Sequence, residues 1–359
     1  MQAGGTLGVG ESHRDVAALP KAHLHLHFTG SMRPATVIDL ARKHGIHLPE
    51  ALTSGKPPQL RATDSKGWFR FQRLYDIARS CVRDEDDVRR LVLEAAEDDA
   101  ADGSRWLEIQ VDPTSYAVHL GGLIPTLELV LDAVKDASAR TGVGIAVVVA
   151  ASRIRHPLDA RTLARLAGRY AGDGVGEVVG FGLSNDERRG VTEEFAAAFR
   201  IAGRAGLASV PHSGELLGPD HVRTTLDHLA PDRIGHGVRS TEDPALLDEV
   251  IDRGITLEVC PGSNVALGVY EQHHSVPLRH LLDAGAQVAL GADDPLLFGS
   301  RLADQYRTAR EVHDLDDAAL AQLARASIRG SRAPSDVRAA LLADVDAWLA
   351  DGKDGSSPT

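Results

Sequence analysis

Residues 21–31 read KAHLHLHFTGS and place His23, His25 and His27 at alternate positions. Alternate side chains of a β-strand point to the same face, so a strand here would bring the three imidazoles together. The stretch is therefore either a metal site or a polar strand face that is rich in histidine. The rest of the sequence has to decide between these two interpretations.

Seven further short apolar runs follow, and amphipathic segments separate most of them. Several runs are apolar along most of their length, which is typical of parallel strands buried on both faces. The predicted strands span residues 22–28, 105–111, 144–150, 176–183, 207–212, 233–237, 254–260 and 286–292. Segment 243–254 illustrates the pattern between strands, with apolar residues at helical spacing and Gly254 as the stop. Eight strand-then-helix units predict an α/β fold, the (β/α)8 TIM barrel, with a doubly wound open sheet as the alternative.

The regular alternation is interrupted by residues 29–104, which predict a helical insertion between the first and second strands. Within it, residues 68–82 read WFRFQRLYDIARSCV and indicate an aromatic-rich amphipathic helix. Core packing alone accounts for such residues. The alternative is that Trp68, Phe69 or Phe71 forms part of a lid over the strand ends, which makes Phe71 a candidate substrate contact.

The predicted organisation is a leader at residues 1–18, a single barrel domain at residues 19–345 and a tail at residues 346–359. The first twenty residues lack a cationic segment followed by an apolar run, so we expect no signal peptide. No window approaches eighteen consecutive apolar residues, so we expect no transmembrane helix. A cytoplasmic location is the corresponding expectation.

Composition restricts the classes of partner and of metal ligand that this protein can use. The 359 residues carry a net charge of −12, which disfavours nucleic acid and anionic membranes and favours a small-molecule partner. The two cysteines are far apart and lack CxxC spacing, so a metal site has to use histidine and carboxylate. The oligomeric state is not encoded in any pattern that we recognise.

Polar residues accumulate where the predicted strands end, which is where barrel active sites are built. They are His25 and His27 after the first strand, His212 after the fifth, His236 after the sixth, and Asp293 and Asp294 after the eighth. Imidazole nitrogen and carboxylate oxygen are ligands that zinc prefers. Each residue alone has a structural alternative: the segment 293–295 is a common helix-capping turn, and residues 212–215 could open a helix.

Five segments, in this order, resemble the adenosine deaminase family of metal-dependent hydrolases. They read PKAHLHLHFTGSMRP (20–34), PHSGELLGP (211–219), RIGHG (233–237), LEVCPGSN (257–264) and GADDPLLFG (291–299). The resemblance covers about residues 20–310. It implies a (β/α)8 barrel that holds one zinc ion, or another divalent transition metal.

The resemblance also implies a role for each matching residue. His25, His27, His212 and Asp293 would hold the metal, and His23 would lie outside the ligand set. The implied reaction is attack of a metal-activated water on C6 of a 6-aminopurine, with release of ammonia. Glu215 would protonate N1, His236 would orient the attacking water, and Asp294 would hydrogen-bond N7.

Departures from the family pattern fall on substrate recognition. Thr29 stands where the family usually has a carboxylate that contacts the ribose 5′ hydroxyl, and Asn185 stands where it has a glycine against the purine. Gln110 replaces a common arginine. We expect Thr29 and Asn185 to contact the substrate, which is adenosine or a close analogue. Adenine, or a 5′-modified adenosine such as aminofutalosine, remains open, because a missing hydrogen bond changes discrimination strongly.

Two other functions are compatible with this pattern. One is hydrolysis of an amide, ester or lactone by another metal-dependent barrel, and the other is a catalytically silent relative that binds nucleosides. Glu215 disfavours the first, since protonation of a ring nitrogen needs that carboxylic acid and carbonyl hydrolysis usually does not. The complete set of polar residues disfavours the second.

Overall fold

The barrel strands are the eight that the sequence predicts. The computed structural model describes residues 14–54, 60 and 64–350. Within these residues eight parallel strands pair in chain order, each with the next. They are β1 (Lys21–His27), β2 (Ser104–Val111), β3 (Gly144–Ser152), β4 (Val178–Ser184), β5 (Ala208–Ser213), β6 (Arg233–His236), β7 (Thr256–Val259) and β8 (Gln287–Leu290).

The sheet closes on itself beside the polar cluster. Leu26 bridges Asp293 in parallel, the Asp293 amide donates to the His25 carbonyl (2.9 Å), and the His27 amide donates to the Asp293 carbonyl (3.0 Å). These contacts join the end of β8 to β1. The fold is therefore the (β/α)8 barrel, and the open sheet is excluded.

Helices alternate with the strands and cover the barrel. They are α1 (Pro34–His44), α2 (Ser65–Arg79), α3 (Glu85–Ala101), α4 (Leu123–Thr141), α5 (Pro157–Arg169), α6 (Ala196–Arg204), α7 (Pro219–Leu229), α8 (Pro244–Asp252), α9 (Pro261–Ala266), α10 (Leu278–Asp283), α11 (Pro295–Phe298), α12 (Leu302–Glu311), α13 (Asp317–Gly330) and α14 (Ser335–Ala350). The predicted insertion between β1 and β2 contains α1, α2 and α3.

Helix α2 begins and ends three residues earlier than the predicted helix at 68–82. Asp64 caps its first turn, because the Asp64 side chain accepts a hydrogen bond from the Gly67 amide (2.6 Å). At the other end, Asp84 caps α3 with its partner Asp87, so the residues just before it form the turn between the helices.

Strand β3 shows why the predicted strands are nearly continuous apolar runs. Val147 and Val149 belong to one buried hydrophobic cluster, and Val148 between them belongs to another. Successive residues of a strand face opposite sides, so both faces of β3 are covered. The sequence of a strand in this position therefore does not alternate between apolar and polar residues.

Both chain ends differ from the predicted domain limits. Arg14 pairs with Asp317 (2.8 Å), and the Trp348 indole donates to the Asp15 carbonyl (3.2 Å). Residues 14–18 of the predicted leader and 346–350 of the predicted tail therefore pack on the barrel. The remaining parts of those segments, 1–13 and 351–359, lie outside the described residues. In the part of the chain that the structure describes, no helix combines the length and apolar composition needed to cross a bilayer.

Candidate active site

Four histidines and one aspartate converge at the carboxyl ends of the barrel strands. The alternation of β1 directs two of the imidazoles into the barrel, β5 and β6 each contribute one, and the carboxylate follows β8. The cluster consists of His25, His27, His212, His236 and Asp293. Gly235 permits this approach, because a Cβ there would lie 3.0 Å from the His25 ring and 3.1 Å from the His212 ring.

The spacing of the side-chain atoms fits a metal ion. The Nε2 atoms of His27 and His212 are 3.2 Å apart, and Asp293 Oδ1 lies 3.3 Å from His27 Nε2 and 3.7 Å from His25 Nε2. Ligand bonds of 2.0–2.1 Å in a tetrahedral zinc site place ligand atoms about 3.4 Å from one another. The His25 Nε2 atom is buried and has no hydrogen-bond partner among the described residues. A divalent cation would satisfy all of these lone pairs at once.

A buried ion-pair network orients His25. Its Nδ1 atom lies 2.8 Å from Glu258 Oε2, and the tautomer that donates to this carboxylate directs the lone pair of Nε2 at the cluster. Glu258 also accepts from Arg233 (2.6 Å), and Arg233 in turn pairs with Glu108 (2.6 Å). Sequence reasoning missed these residues. Their signal is a charged side chain within an otherwise apolar strand, at LEIQV and TLEV.

His23 does not join the cluster. Its Nδ1 atom contacts Asp99 Oδ1 of α3 (2.8 Å), and its Nε2 atom accepts from the Ala292 amide (3.0 Å). The pairing of β1 with β2 shifts register between His23 and Leu26, so the strict alternation that would align three imidazoles is interrupted. Two of the three opening histidines therefore face the cluster, and the third has both nitrogens occupied elsewhere.

Glu215 and His236 lie against one side of the cluster. Glu215 Oε1 is 3.6 Å from His236 Nε2, which is 3.9 Å from Asp293 Oδ2. Burial raises the pKa of Glu215 well above its usual value, and the charges of Asp293 and Glu187 add to the effect. Burial, with the neighbouring His25, lowers the pKa of His236 to about 3. These shifts favour the protonated form of the Glu215 carboxyl group and the neutral form of the His236 imidazole.

Asp294 presents its carboxyl group to the cavity. It precedes α11 but makes no capping hydrogen bond there, and its Oδ1 atom is buried without a partner among the described residues. Burial, with the adjacent Asp293, raises the pKa of Asp294. Its carboxyl group packs on Gly30, where a Cβ would fall 1.8 Å from Asp294 Oδ1. The capping interpretation of this segment is therefore wrong.

The segment after β5 likewise does not open a helix. Ser213 ends the strand, and its hydroxyl contacts His221 Nδ1 (3.0 Å) and accepts from Thr225 Oγ1 (3.0 Å). Helix α7 begins only at Pro219. Glu215 therefore belongs to a loop that faces the cavity rather than to a first helical turn.

A cavity that opens to solvent lies next to the cluster. One face of α2 forms a wall of it, through residues at the helical spacing i, i+3, i+4, i+7 and i+11. These residues are Trp68, Phe71, Gln72, Tyr75 and Arg79. Phe71 also stacks on Phe298 with ring centroids 5.7 Å apart, whereas Phe69 is 61% exposed and faces away. The insertion therefore contributes a wall, with Trp68 and Phe71 on it and Phe69 outside.

Of the candidate substrate contacts, Asn185 lines the cavity and Thr29 does not. The Asn185 backbone has φ +82°, a left-handed conformation that favours glycine, and its side chain donates to Gln72 Oε1 (3.1 Å). Thr29 is fully buried and hydrogen-bonds the Tyr116 hydroxyl instead. Gln110 lines the cavity with neither amide atom partnered among the described residues.

Comparisons with known proteins agree with this geometry. Residues 20–348 match the family model described as adenosine deaminase. A Streptomyces virginiae protein described as a putative adenosine/adenine deaminase is 65% identical over 339 residues, which is 94% of this chain and 99% of the relative. A Mesorhizobium japonicum adenine deaminase is 36% identical over 91% of this chain and 98% of its own.

A solved structure shares the architecture as well. The crystal structure of adenine deaminase from Arthrobacter aurescens superposes with a TM-score of 0.83 at 30% identity, over 92% of this chain and 99% of that one. Fold and site together define a barrel hydrolase that acts on carbon–nitrogen bonds. The chain belongs to the adenosine deaminase family, as the sequence motifs predict.

Proposed function

We propose that this protein catalyses the zinc-dependent hydrolytic deamination of a 6-aminopurine nucleoside, adenosine or a close analogue, to the 6-oxopurine and ammonia. One observation carries the proposal. A buried Glu215 lies 3.6 Å from His236, beside a cluster of imidazoles and one carboxylate on the wall of a large cavity. Hydrolysis at a ring carbon next to a basic ring nitrogen needs this combination of a proton donor and a metal site.

His25, His27, His212 and Asp293 would hold the ion. Three imidazole nitrogens and one carboxylate oxygen are a donor set that suits zinc, and the spacing given above fits its bond lengths. When bound, the ion supplies an activated water for attack on C6 of the purine. Glu258 would keep His25 in the tautomer that this requires.

Three side chains would handle protons and hydrogen bonds around the purine. Glu215 carries the proton that N1 needs when electron density moves onto it, which is why a raised pKa matters. The neutral His236 is free to accept a hydrogen bond from the attacking water and so to orient it. Asp294, whose pKa is raised by burial, would donate a hydrogen bond to N7.

The polar lining of the cavity favours a nucleoside over a free base. Phe71, stacked on Phe298, and Asn185 would flank the purine. The same cavity is also lined by Arg79, Asp112 and Ser115, polar side chains that a ribose would engage and a free base would leave to water. The free base adenine is the alternative substrate, because some relatives are named adenine deaminases.

A 5′-modified adenosine with an acidic group is the second candidate, and Arg79 favours it. Arg79 brings a guanidinium to the cavity wall, where its Nη1 donates to Ser115 Oγ (3.0 Å) and its Nη2 pairs with the exposed Asp76. Thr29, turned toward Tyr116, places no carboxylate at position 29 to oppose an anion; Asp112, which accepts from Ser115 Oγ (3.4 Å), is the carboxylate on this part of the wall. Aminofutalosine, which carries a carboxylate, and adenosine 5′-phosphate are the two probes for this candidate.

An ammonia-release screen on the zinc-loaded enzyme tests the proposal. The panel contains adenine, adenosine, 2′-deoxyadenosine, adenosine 5′-phosphate and aminofutalosine, with Glu215→Gln as the matched inactive control. We expect adenosine or one of its 5′-modified forms to release ammonia fastest. The Glu215→Gln control should not release ammonia at a comparable rate. If adenine reacts fastest, the substrate is the free base and not a nucleoside. Ammonia from no member of the panel, with one zinc per chain, would refute deamination of aminopurines.

A further inference from the structure

The loop that carries Glu215 is tied down by a single buried carboxylate. Glu187 Oε1 accepts a hydrogen bond from the Glu215 amide (3.1 Å), and Oε2 accepts from the amides of Leu216 (2.8 Å) and Leu217 (2.8 Å). Three successive amides that point to one site form an anion-binding concavity in the backbone. Here the anion is a side chain of the protein.

These three amides have no place in regular structure. β5 ends at Ser213, Gly214 turns the chain with φ +71°, and α7 begins at Pro219. The amides of residues 215–217 therefore lie outside both the sheet ladder and the helix. Glu215 is itself buried, so water is a poor substitute partner, and a buried amide needs a partner. Glu187 supplies it from the loop that follows β4.

A second buried side chain braces the preceding turn. The Arg153 guanidinium at the end of β3 is buried, donates to the His212 carbonyl and also donates to Thr192 Oγ1 (2.9 Å). Arg153 thus fixes the carbonyl of His212 at the end of β5, and Glu187 fixes the amides of residues 215–217, which follow two residues later. Between these two anchors the chain has little freedom to change the direction of the Glu215 side chain.

We propose that Glu187 is a positioning residue of this site, which fixes the backbone of residues 215–217 and thereby aims the Glu215 carboxyl group at the substrate. The inference rests on the proposed function, in which Glu215 is the proton donor. Glu187 is not among the residues that line the cavity, and both of its oxygens accept from backbone amides. Its neighbour Asp186 has a different use, pairing with Arg188 (2.7 Å).

The geometry requires two acceptor oxygens in one plane. In Glu187→Gln one oxygen becomes an NH₂ group that faces amide donors, so one or two of the three hydrogen bonds are lost without a change in side-chain volume. In Glu187→Asp both oxygens remain, but the shorter side chain reaches fewer amides. The glutamine variant therefore removes the clamp, and the aspartate variant weakens it.

Steady-state kinetics of the zinc-loaded enzyme test the inference, with adenosine as the first substrate and otherwise the substrate that the screen identifies. We expect Glu187→Gln to lower kcat by about 10- to 100-fold, since a displacement of about 1 Å in a catalytic group costs this much. KM should change by less than about 3-fold, because only the proton donor moves. The kcat of Glu187→Asp should lie between that of the wild type and that of Glu187→Gln. Glu194→Gln, an exposed carboxylate on the same loop, should match the wild type.

A double-mutant cycle separates positioning from a general structural role. If Glu187 acts through Glu215, then Glu187→Gln added to Glu215→Gln lowers kcat no further. An equal loss in both backgrounds, or a loss of bound zinc, would overturn the inference. So would a wild-type kcat in both Glu187 variants. The proposed function fails on a different result, namely full activity of Glu215→Gln alone. Should the glutamine variant fail to fold, Glu187→Asp in the same cycle decides.

Discussion

Gly30→Ala is a test of the site that acts through sterics alone. Gly30 lies in a 3-10 turn after β1 and does not have a left-handed backbone, so alanine can adopt its conformation without strain. Its new Cβ would fall 1.8 Å from Asp294 Oδ1, 2.5 Å from Cγ and 2.6 Å from Cα. Real Cβ contacts under 3.0 Å essentially do not occur. The carboxyl group of Asp294 must therefore move, by about 1.2 Å or more.

The size of the effect follows from that displacement. A shift of about 1 Å in a group that binds the reacting ring lowers kcat/KM on the order of 100-fold, or about 2.7 kcal/mol of transition-state stabilisation. Overpacking of a buried contact should also lower the free energy of unfolding by about 1–3 kcal/mol. Zinc content should stay near one per chain, because Asp294 is outside the proposed ligand set.

Ammonia release, metal analysis and thermal unfolding measure the three quantities. Gly203→Ala is the matched control, since a Cβ at this position in α6 meets nothing within 4 Å. It should keep wild-type kcat/KM and gain about 0.5–1 kcal/mol of stability through helix propensity. Wild-type kcat/KM in Gly30→Ala, with the alanine verified, would refute the role of Asp294 at the purine.

Three further changes probe the remaining parts of the site. Glu215→Gln should lower kcat by about 10²- to 10⁴-fold with unchanged zinc content, and a rate within 10-fold of the wild type would remove the proton-donor role. His25→Ala should lose the zinc, measured by metal analysis, and a chelator should lower the Tm of the wild type but not of this variant. Thr29→Asp places a carboxylate at a fully buried hydroxyl beside Tyr116, so the free energy of unfolding in denaturant should fall by about 1–3 kcal/mol. Its adenosine turnover should not rise, and a gain would show that residue 29 reaches the substrate.

The fold could be predicted because each barrel strand is buried on both faces and leaves a clear apolar run. The limits were less accurate where local turns decide them. Gly254 has φ +66° and belongs to the turn after α8, so β7 begins two residues later than the predicted run at 254–260. The packing of Trp348 against the residues before β1 depends on a contact between the two ends of the described chain, and no local pattern reveals it.

Some residues of the candidate site could also be predicted from the sequence, and others could not. His25 and His212 lie near the carboxyl ends of β1 and β5, and Asp293 follows β8. Because barrel geometry brings these strand ends together, the sequence was enough to predict that the three side chains converge. Thr29 was misplaced, because its direction depends on Tyr116, 87 positions away in the chain. Glu187 was missed for a related reason, since the amides that it holds belong to the next strand's loop. Contacts between loops are set by the closed barrel and not by local spacing.

The carboxyl groups at this site differ in protonation, and this difference favours a purine as the substrate. Asp293 lies against His27 and the other imidazoles, which lower its pKa in spite of burial, whereas burial raises the pKa of both Asp294 and Glu215. Environments that separate the pKa values of neighbouring carboxyl groups assign them to different tasks. These directions favour an ionised Asp293, which can balance a cation, and protonated Asp294 and Glu215, which can donate. A purine offers ring-nitrogen acceptors at N1 and N7, so it can satisfy both donors at once. An ester or lactone presents one carbonyl to the metal and would leave at least one of these buried donors without a partner.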